Sequence, residues 1–176
     1  MKRVFISIDI PLNIKEKIKK IQDILPELNG KKIEEENLHL TLKFLGNLPD
    51  KKIGIVKEKL NEIDFRKFES EIDGIGFFSE KFIRIVWLHL SNCEELQKEI
   101  DFRLSGLFEK EQRFMCHLTI ARIKSIKDGK EFISELKKIK FSKMKFLVDN
   151  FKLKESILAE DKPTYKTLAE YLLREY

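Results

Sequence analysis

His39-Leu40-Thr41-Leu42 and His117-Leu118-Thr119-Ile120 set an imidazole and a hydroxyl two residues apart, twice in one chain. The chain has only 3 histidines, and threonine occurs only at positions 41, 119, 164 and 167. With threonine this sparse, two such pairs are expected by chance in roughly two chains per thousand. A neutral imidazole takes up a proton near pH 7 and an imidazolium gives one up. Two of them on opposite sides of a phosphorus atom can manage an in-line displacement, one activating water and the other protonating the leaving oxygen. Threonine hydroxyls and a guanidinium would hold the non-bridging oxygens and stabilise charge in the transition state.

The elements around these residues decide whether they meet. Both motifs lie in apolar alternation that predicts β-strands, over 38–45 and 115–123. Side chains on a strand alternate faces, so each His shares a face with its Thr while the Leu and Ile residues take the core face. Arg122, five residues after His117, is the natural guanidinium. Strict alternation puts it on the wrong face, and it reaches the site only if the strand ends or bulges near Ala121. Lys43 shares the face of His39 and Thr41 by the same counting. It reads either as added positive charge or as a solvated strand-end lysine. His89 has no Thr after it, lies near a strand end and reads as structural.

His117 follows His39 by 78 residues, and a shift of 78 lays much of the chain on itself. Residues 4–9 fall on 82–87, 12–25 on 90–103, the helix from 50 on that from 128, and 68–77 on 146–155. The repeated order is strand, helix, His-x-Thr strand, helix, strand. This predicts a single bilobal domain over 1–176, with an internal repeat of about 4–77 and 82–155. A pseudo-twofold would then bring the two His-x-Thr faces together across a cleft. Helices are expected near 14–25, 50–63, 93–108 and 132–139, and further strands near 4–10, 68–76, 82–90, 145–154 and 165–173. Gly30-Lys31-Lys32 reads as a turn, and 79–81, 125–129 and 159–164 as mobile connections. The expected class is α+β: two pseudo-symmetric lobes, each an antiparallel sheet with helices on its outer face.

Composition narrows the partners. With 42% hydrophobic and 37% charged residues, the 176-residue chain reads as a folded protein able to bury a sizeable core. No apolar run is long enough to span a membrane, and Met1-Lys2-Arg3 leads straight into a strand rather than a signal peptide. Cys93 and Cys116 form neither a disulfide framework nor a metal spacing, which suits reduced thiols in the cytoplasm. The net charge of +5 fits a polyanionic ligand. Many Lys and Glu with only 7 Gly resemble a thermophile's composition. Competing chemistries lack their residues. No Cys, Asp or Glu keeps zinc-ligand spacing beside either motif His, no Gly-x-Ser-x-Gly elbow is present, and Gly74-x-Gly76 has no third glycine for a dinucleotide site.

At these residues the chain resembles the two-histidine phosphoesterase superfamily, and within it the RNA 2′,3′-cyclic phosphodiesterases also known as 2′-5′ RNA ligases. The residues that carry the resemblance run from Val4-Phe5-Ile6-Ser7-Ile8-Asp9-Ile10-Pro11 through Glu36-Asn37-Leu38-His39-Leu40-Thr41-Leu42-Lys43-Phe44-Leu45-Gly46 and Gly74-Ile75-Gly76-Phe77-Phe78 to His117-Leu118-Thr119-Ile120-Ala121-Arg122. The resemblance implies a cleft between two lobes and hydrolysis of a terminal 2′,3′-cyclic phosphate to a 2′-phosphomonoester without metal or cofactor. It also implies a capacity for 2′-5′ joining. His39 would be the proton donor, His117 the proton acceptor, and Thr41, Thr119 and Arg122 the substrate-binding residues. The expected partner is RNA with a 2′,3′-cyclic phosphate end, such as a tRNA half, acted on by a monomer. One departure from the family pattern is Glu160-Asp161-Lys162-Pro163-Thr164-Tyr165, where a Gly-rich approach to the last strand is usual. The alternative function is a non-catalytic RNA-end or nucleotide binding protein using the same cleft. Retention of both His and both Thr favours the enzyme, because binding alone needs no acid/base pair.

Overall fold

A computed structural model describes residues 1–158 and 163–175. In chain order the elements are β1 (Lys2–Asp9), α1 (Leu12–Asp23), β2 (Asn29–Lys32), β3 (His39–Leu48), α2 (Asp50–Asn61), β4 (Phe68–Gly76), β5 (Ile85–Leu90), α3 (Glu94–Arg103), β6 (His117–Ser125), α4 (Gly129–Lys138), β7 (Met144–Val148), β8 (Asn150–Leu158) and β9 (Pro163–Leu172). The strands form two antiparallel sheets, ordered β3-β1-β8-β9 and β2-β6-β5-β4-β7. The class is α+β. Among the described residues, no helix is long and apolar enough to cross a membrane.

Local chemistry accounts for the elements. Pro11 ends β1 because it has no N–H for the ladder, and its carbonyl starts α1 by accepting from Ile14 N at 3.0 Å. Ile14, Ile18 and Ile21 then fall on one face of α1 and are buried. The Asp128 carboxylate caps α4, accepting from Lys130 N at 2.8 Å and Glu131 N at 3.0 Å. The apolar faces of both sheets and the buried sides of the helices join in one continuous core. The His-bearing faces are left for the cleft.

Three features depart from the expected pattern. Residues 29–32 are an edge strand rather than a turn. β2 lies so close to β6 that a Cβ on Gly30 would fall 2.1 Å from the Arg122 carbonyl oxygen, so only glycine fits there. The stretch 145–154 is two strands, not one. Met144, Phe146 and Val148 are buried in one phase and Phe151 and Leu153 in the other, so the parity slips at Asp149 and the chain passes from the second sheet to the first. Of 159–164, residues 159–162 lie outside the described residues, while Pro163 and Thr164 open β9.

Strand order crosses the halves of the chain. β4, from the first half, sits in the sheet of His117, and β8, from the second half, sits in the sheet of His39. β1 and β5 play matching parts beside the two motif strands, with Asp9 facing His39 and His89 facing His117. Asp9 and His89 are 80 residues apart, so this pair of strands is offset by two from the 78-residue shift of the motifs. An offset of two preserves the side-chain face.

Candidate active site

A β-bulge in each motif strand builds the site. In β6, Thr119 pairs with Trp87 but Ala121 pairs with Val86, leaving Ile120 as an extra residue. In β3, Thr41 pairs with Ser7 but Lys43 pairs with Ile6, leaving Leu42 extra. After each bulge the facing reverses. Ile120 and Ala121 are both buried, and Arg122 turns out beside His117 and Thr119. Leu42 and Lys43 are both buried, and Phe44 turns out beside His39 and Thr41. The bulge that Arg122 requires is therefore present. Phe44 is the equivalent residue in the other strand, missed because strict alternation assigned it to the core.

The same reversal removes Lys43 from the site. Its ammonium is buried on the core side, donating to the Asp101 carboxylate at 2.5 Å and to the Glu109 carbonyl at 2.7 Å. Asp101 also accepts from Gln97 Nε2 at 2.7 Å and Glu111 N at 3.0 Å. Burial pushes the Asp101 carboxyl up, but these donors outweigh it and hold it below its usual range. Lys43 is neither a cleft charge nor a solvated lysine.

Residues from both sheets meet around a cavity of about 520 Å³. Its lining includes His39, Thr41, His117, Thr119 and Arg122, the five residues to which the family resemblance gives proton-transfer and substrate-binding roles. Its aromatic residues, Phe5, Phe44 and Tyr165, all come from the first sheet. Each motif His is held by its own strand approach. His39 Nδ1 meets the Asn37 carbonyl at 2.7 Å, and His117 Nδ1 meets the Met115 carbonyl at 2.9 Å. A carbonyl only accepts, so Nδ1 carries the hydrogen and Nε2 is the nitrogen left for chemistry. Aromatic edges flank both rings: Tyr165 lies 4.9 Å from His39 and Phe78 lies 5.0 Å from His117, both T-shaped. Phe78 in turn leans on Trp87 at 5.6 Å. The indole lies over Gly76, where a Cβ would come within 2.6 Å of it.

Burial and charge act together on His39. Withdrawal from water pushes the His39 pKa down to about 4, opposed by the Asn37 carbonyl and Asp9 and reinforced by the Lys154 and Arg122 charges. Asp9, directly across from His39, pairs with Lys154 and with Lys152, the latter at 3.0 Å. Burial pushes the Asp9 carboxyl up, and the two ammonium groups more than reverse that. His89 sits across from His117 on the same face, its Nδ1 2.6 Å from the Asp73 carboxylate, outside the cavity lining. Among the described residues, no group of three or more His, Cys, Asp or Glu is placed to hold a metal ion.

Comparison with known proteins adds relatives to this geometry. The chain matches the family described as LigT like Phosphoesterase over residues 8–87 and 90–165. It is similar to the RNA 2′,3′-cyclic phosphodiesterase of Methanocaldococcus jannaschii, 37% identical over 175 residues that cover 96% of this chain and 99% of the relative. The protein of the same name from Archaeoglobus fulgidus is 33% identical, covering 94% of this chain and 97% of the relative. The crystal structure of Escherichia coli LigT with 3′-AMP superposes with a TM-score of 0.79 at 24% identity, covering 98% of each chain. A crystal structure from Thermus thermophilus reaches 0.80 at 21% identity and the same coverage. At these identities the two structures attest the shared fold.

Proposed function

The chain belongs to the LigT like phosphoesterase family, and from that premise we propose that it hydrolyses RNA 2′,3′-cyclic phosphodiester ends to 2′-phosphomonoesters by metal-free acid–base catalysis on His39 and His117. The observation that carries this is the meeting of two histidines from two different sheets, each with Nδ1 tied to a carbonyl and Nε2 unused, in one cavity with Thr41, Thr119 and Arg122. The hydrolytic activity is the one named for relatives that match nearly the whole chain.

The asymmetry of the cavity lining supports the assignment of roles. Every aromatic in the lining comes from the sheet of His39, while Arg122 comes from the sheet of His117. The nucleoside therefore lies on the His39 side, with its base on Phe44, which is 68% exposed. His117 takes a proton from water as the water oxygen attacks phosphorus. The P–O3′ bond breaks, and His39 gives its Nε2 proton to the departing 3′ oxygen, leaving the phosphate on O2′. The Thr41 and Thr119 hydroxyls donate to the non-bridging oxygens, and the Arg122 guanidinium balances their charge. His39 is neutral in the free protein at pH 7, its pKa being about 4. An arriving phosphate anion favours imidazolium, so substrate binding itself loads the acid. If an RNA 5′-hydroxyl takes the place of water, the same groups make a 2′-5′ linkage.

The test is incubation of RNA ending in a 2′,3′-cyclic phosphate with the protein and EDTA, followed by analysis of the ends. The expected product is a 2′-phosphate. Binding without turnover would assign the cleft to an RNA-end binding protein instead. Strict dependence on added Zn²⁺ or Mn²⁺ would overturn the metal-free mechanism.

A further inference from the structure

The cavity lining contains two guanidinium groups, Arg122 and Arg3, and neither has a hydrogen-bond or ion-pair partner among the described residues. Four lysines of the first sheet are engaged. Lys2 holds Asp50, Lys43 holds Asp101, and Lys152 and Lys154 hold Asp9. An unpaired arginine facing a cavity, where its neighbours are neutralised, is a vacant anion contact.

Its position along the sheet says which anion. On the cleft face of the first sheet, successive rows run Thr41–Ser7–Lys152–Glu170, then Phe44–Phe5–Lys154–Thr167, then Asn47–Arg3–Ser156–Tyr165. From Ser7 to Arg3 is four residues of β1, or roughly 13 Å of strand. The first row holds Thr41, the proposed contact for the reacting phosphate. The middle row brings the aromatic pair Phe44 and Phe5, which takes the nucleoside, while its Lys154 is tied to Asp9. Arg3 stands at the far end, and its long side chain reaches back over part of that length. A nucleotide within a chain has the same order: a phosphate on its 2′,3′ side, the nucleoside, and a second phosphate on O5′.

We propose that Arg3 binds the phosphate on the 5′ side of the reacting nucleotide, so that the cleft selects the end of an RNA chain over a cyclic mononucleoside phosphate. This rests on the reading of the cleft as a cyclic phosphodiesterase site. It adds a contact to that site and defines the substrate class as oligonucleotide. The reacting phosphate is then met by Arg122 and the threonines, and its 5′ neighbour by Arg3.

Two measurements on the full chain test it. The first is the ratio of kcat/KM for adenosine 2′,3′-cyclic phosphate with and without a 5′-phosphate. The second is calorimetric affinity for adenosine 2′,5′-bisphosphate against adenosine 2′-phosphate. In the wild type the 5′-phosphate should improve both by about tenfold, the scale of one charge-assisted contact. Arg3→Met should bring both ratios near one, and Arg3→Lys, which keeps the charge, should retain part of them. Affinity for the bisphosphate should fall less steeply with added salt in Arg3→Met than in the wild type. A wild-type ratio near one, or a ratio that survives in Arg3→Met, overturns the role of Arg3 while leaving the phosphodiesterase reading intact. No turnover of either cyclic substrate, with neither product analogue bound, overturns the reading of the cleft and this proposal with it.

Discussion

His39 and His117 share a motif but not an environment. Both have Nδ1 tied to a backbone carbonyl, and His39 lies among Lys154, Arg122 and Asp9 in a buried setting that pushes its pKa down to about 4. As the two rings are proposed to move protons in one step, neither is expendable. His39→Ala and His117→Ala should each lower kcat on a 2′,3′-cyclic phosphate RNA by about 10²–10⁴-fold. The double variant should be little worse than either single one. Circular dichroism would check that the fold survives, and a single variant within tenfold of wild type would refute the assignment. The depressed His39 pKa also links to stability. An unfolded chain would protonate this ring near pH 6.5 while the folded one resists until about 4, so the unfolded state binds the extra proton between these values. Stability contributed by neutral His39 is present above about pH 6.5 and is lost as pH falls toward 4. His39→Gln should flatten that part of the profile, as read from urea midpoints at pH 7 and pH 4.5.

At the scale of elements, the bulges at Leu42 and Ile120 do the positioning, and each is held from behind. The carbonyl of the extra residue Ile120 accepts from Ile33 N at 2.9 Å and from the buried Gln22 Nε2 of α1 at 2.8 Å. Gln22 thus braces the turn-out of Arg122. Arg122→Ala should cost about 10²-fold in kcat, and Arg122→Lys should recover only part, because lysine lacks the planar fork. Gln22→Leu should lower activity less. If it acts through Arg122, the Gln22→Leu/Arg122→Ala double variant should match Arg122→Ala alone, which a double-mutant cycle measures. The β3 bulge is anchored by the buried Lys43–Asp101 pair, with side chains only 4% and 3% exposed. Lys43→Met leaves Asp101 buried without its counter-ion and should cost about 3–5 kcal/mol in urea unfolding. Lys43→Met/Asp101→Leu removes both charges and should be less damaging than the sum of the singles.

For the whole molecule, exchange of strands between the halves decides cooperativity. β4 pairs with β5 and β7, and β8 with β1 and β9, so each sheet lacks an interior strand without the other half of the chain. The core is likewise one cluster drawn from both sheets. Residues 1–80 and 81–176 expressed separately should therefore lack a cooperative melt by circular dichroism. The intact chain should unfold in one transition, with far-ultraviolet signal and Trp87 fluorescence coincident. A fragment that melts cooperatively on its own would count against this account.

Period-two alternation alone puts His39 with Thr41, and His117 with Thr119, on the face opposite the leucines, and both pairs line the cavity. The helices were legible from the same kind of local signal, such as Ile14, Ile18 and Ile21 after Pro11. These inferences succeed because side-chain direction within an element follows from backbone geometry, which neighbouring residues specify. Bulges are different. Arg122 reaches the cavity and Lys43 leaves it because the bulges at Ile120 and Leu42 are held from a distance, by Gln22 and Ile33 on Ile120 and by Asp101 on Lys43. The break at Asp149 left a trace, the change of parity between Val148 and Phe151, but only pairing shows that the two strands enter different sheets. Gly30 reads as a turn until β6 is laid against it. Which strands become neighbours, and where a ladder takes an extra residue, depends on packing summed over the whole core, and no local stretch of the sequence contains it.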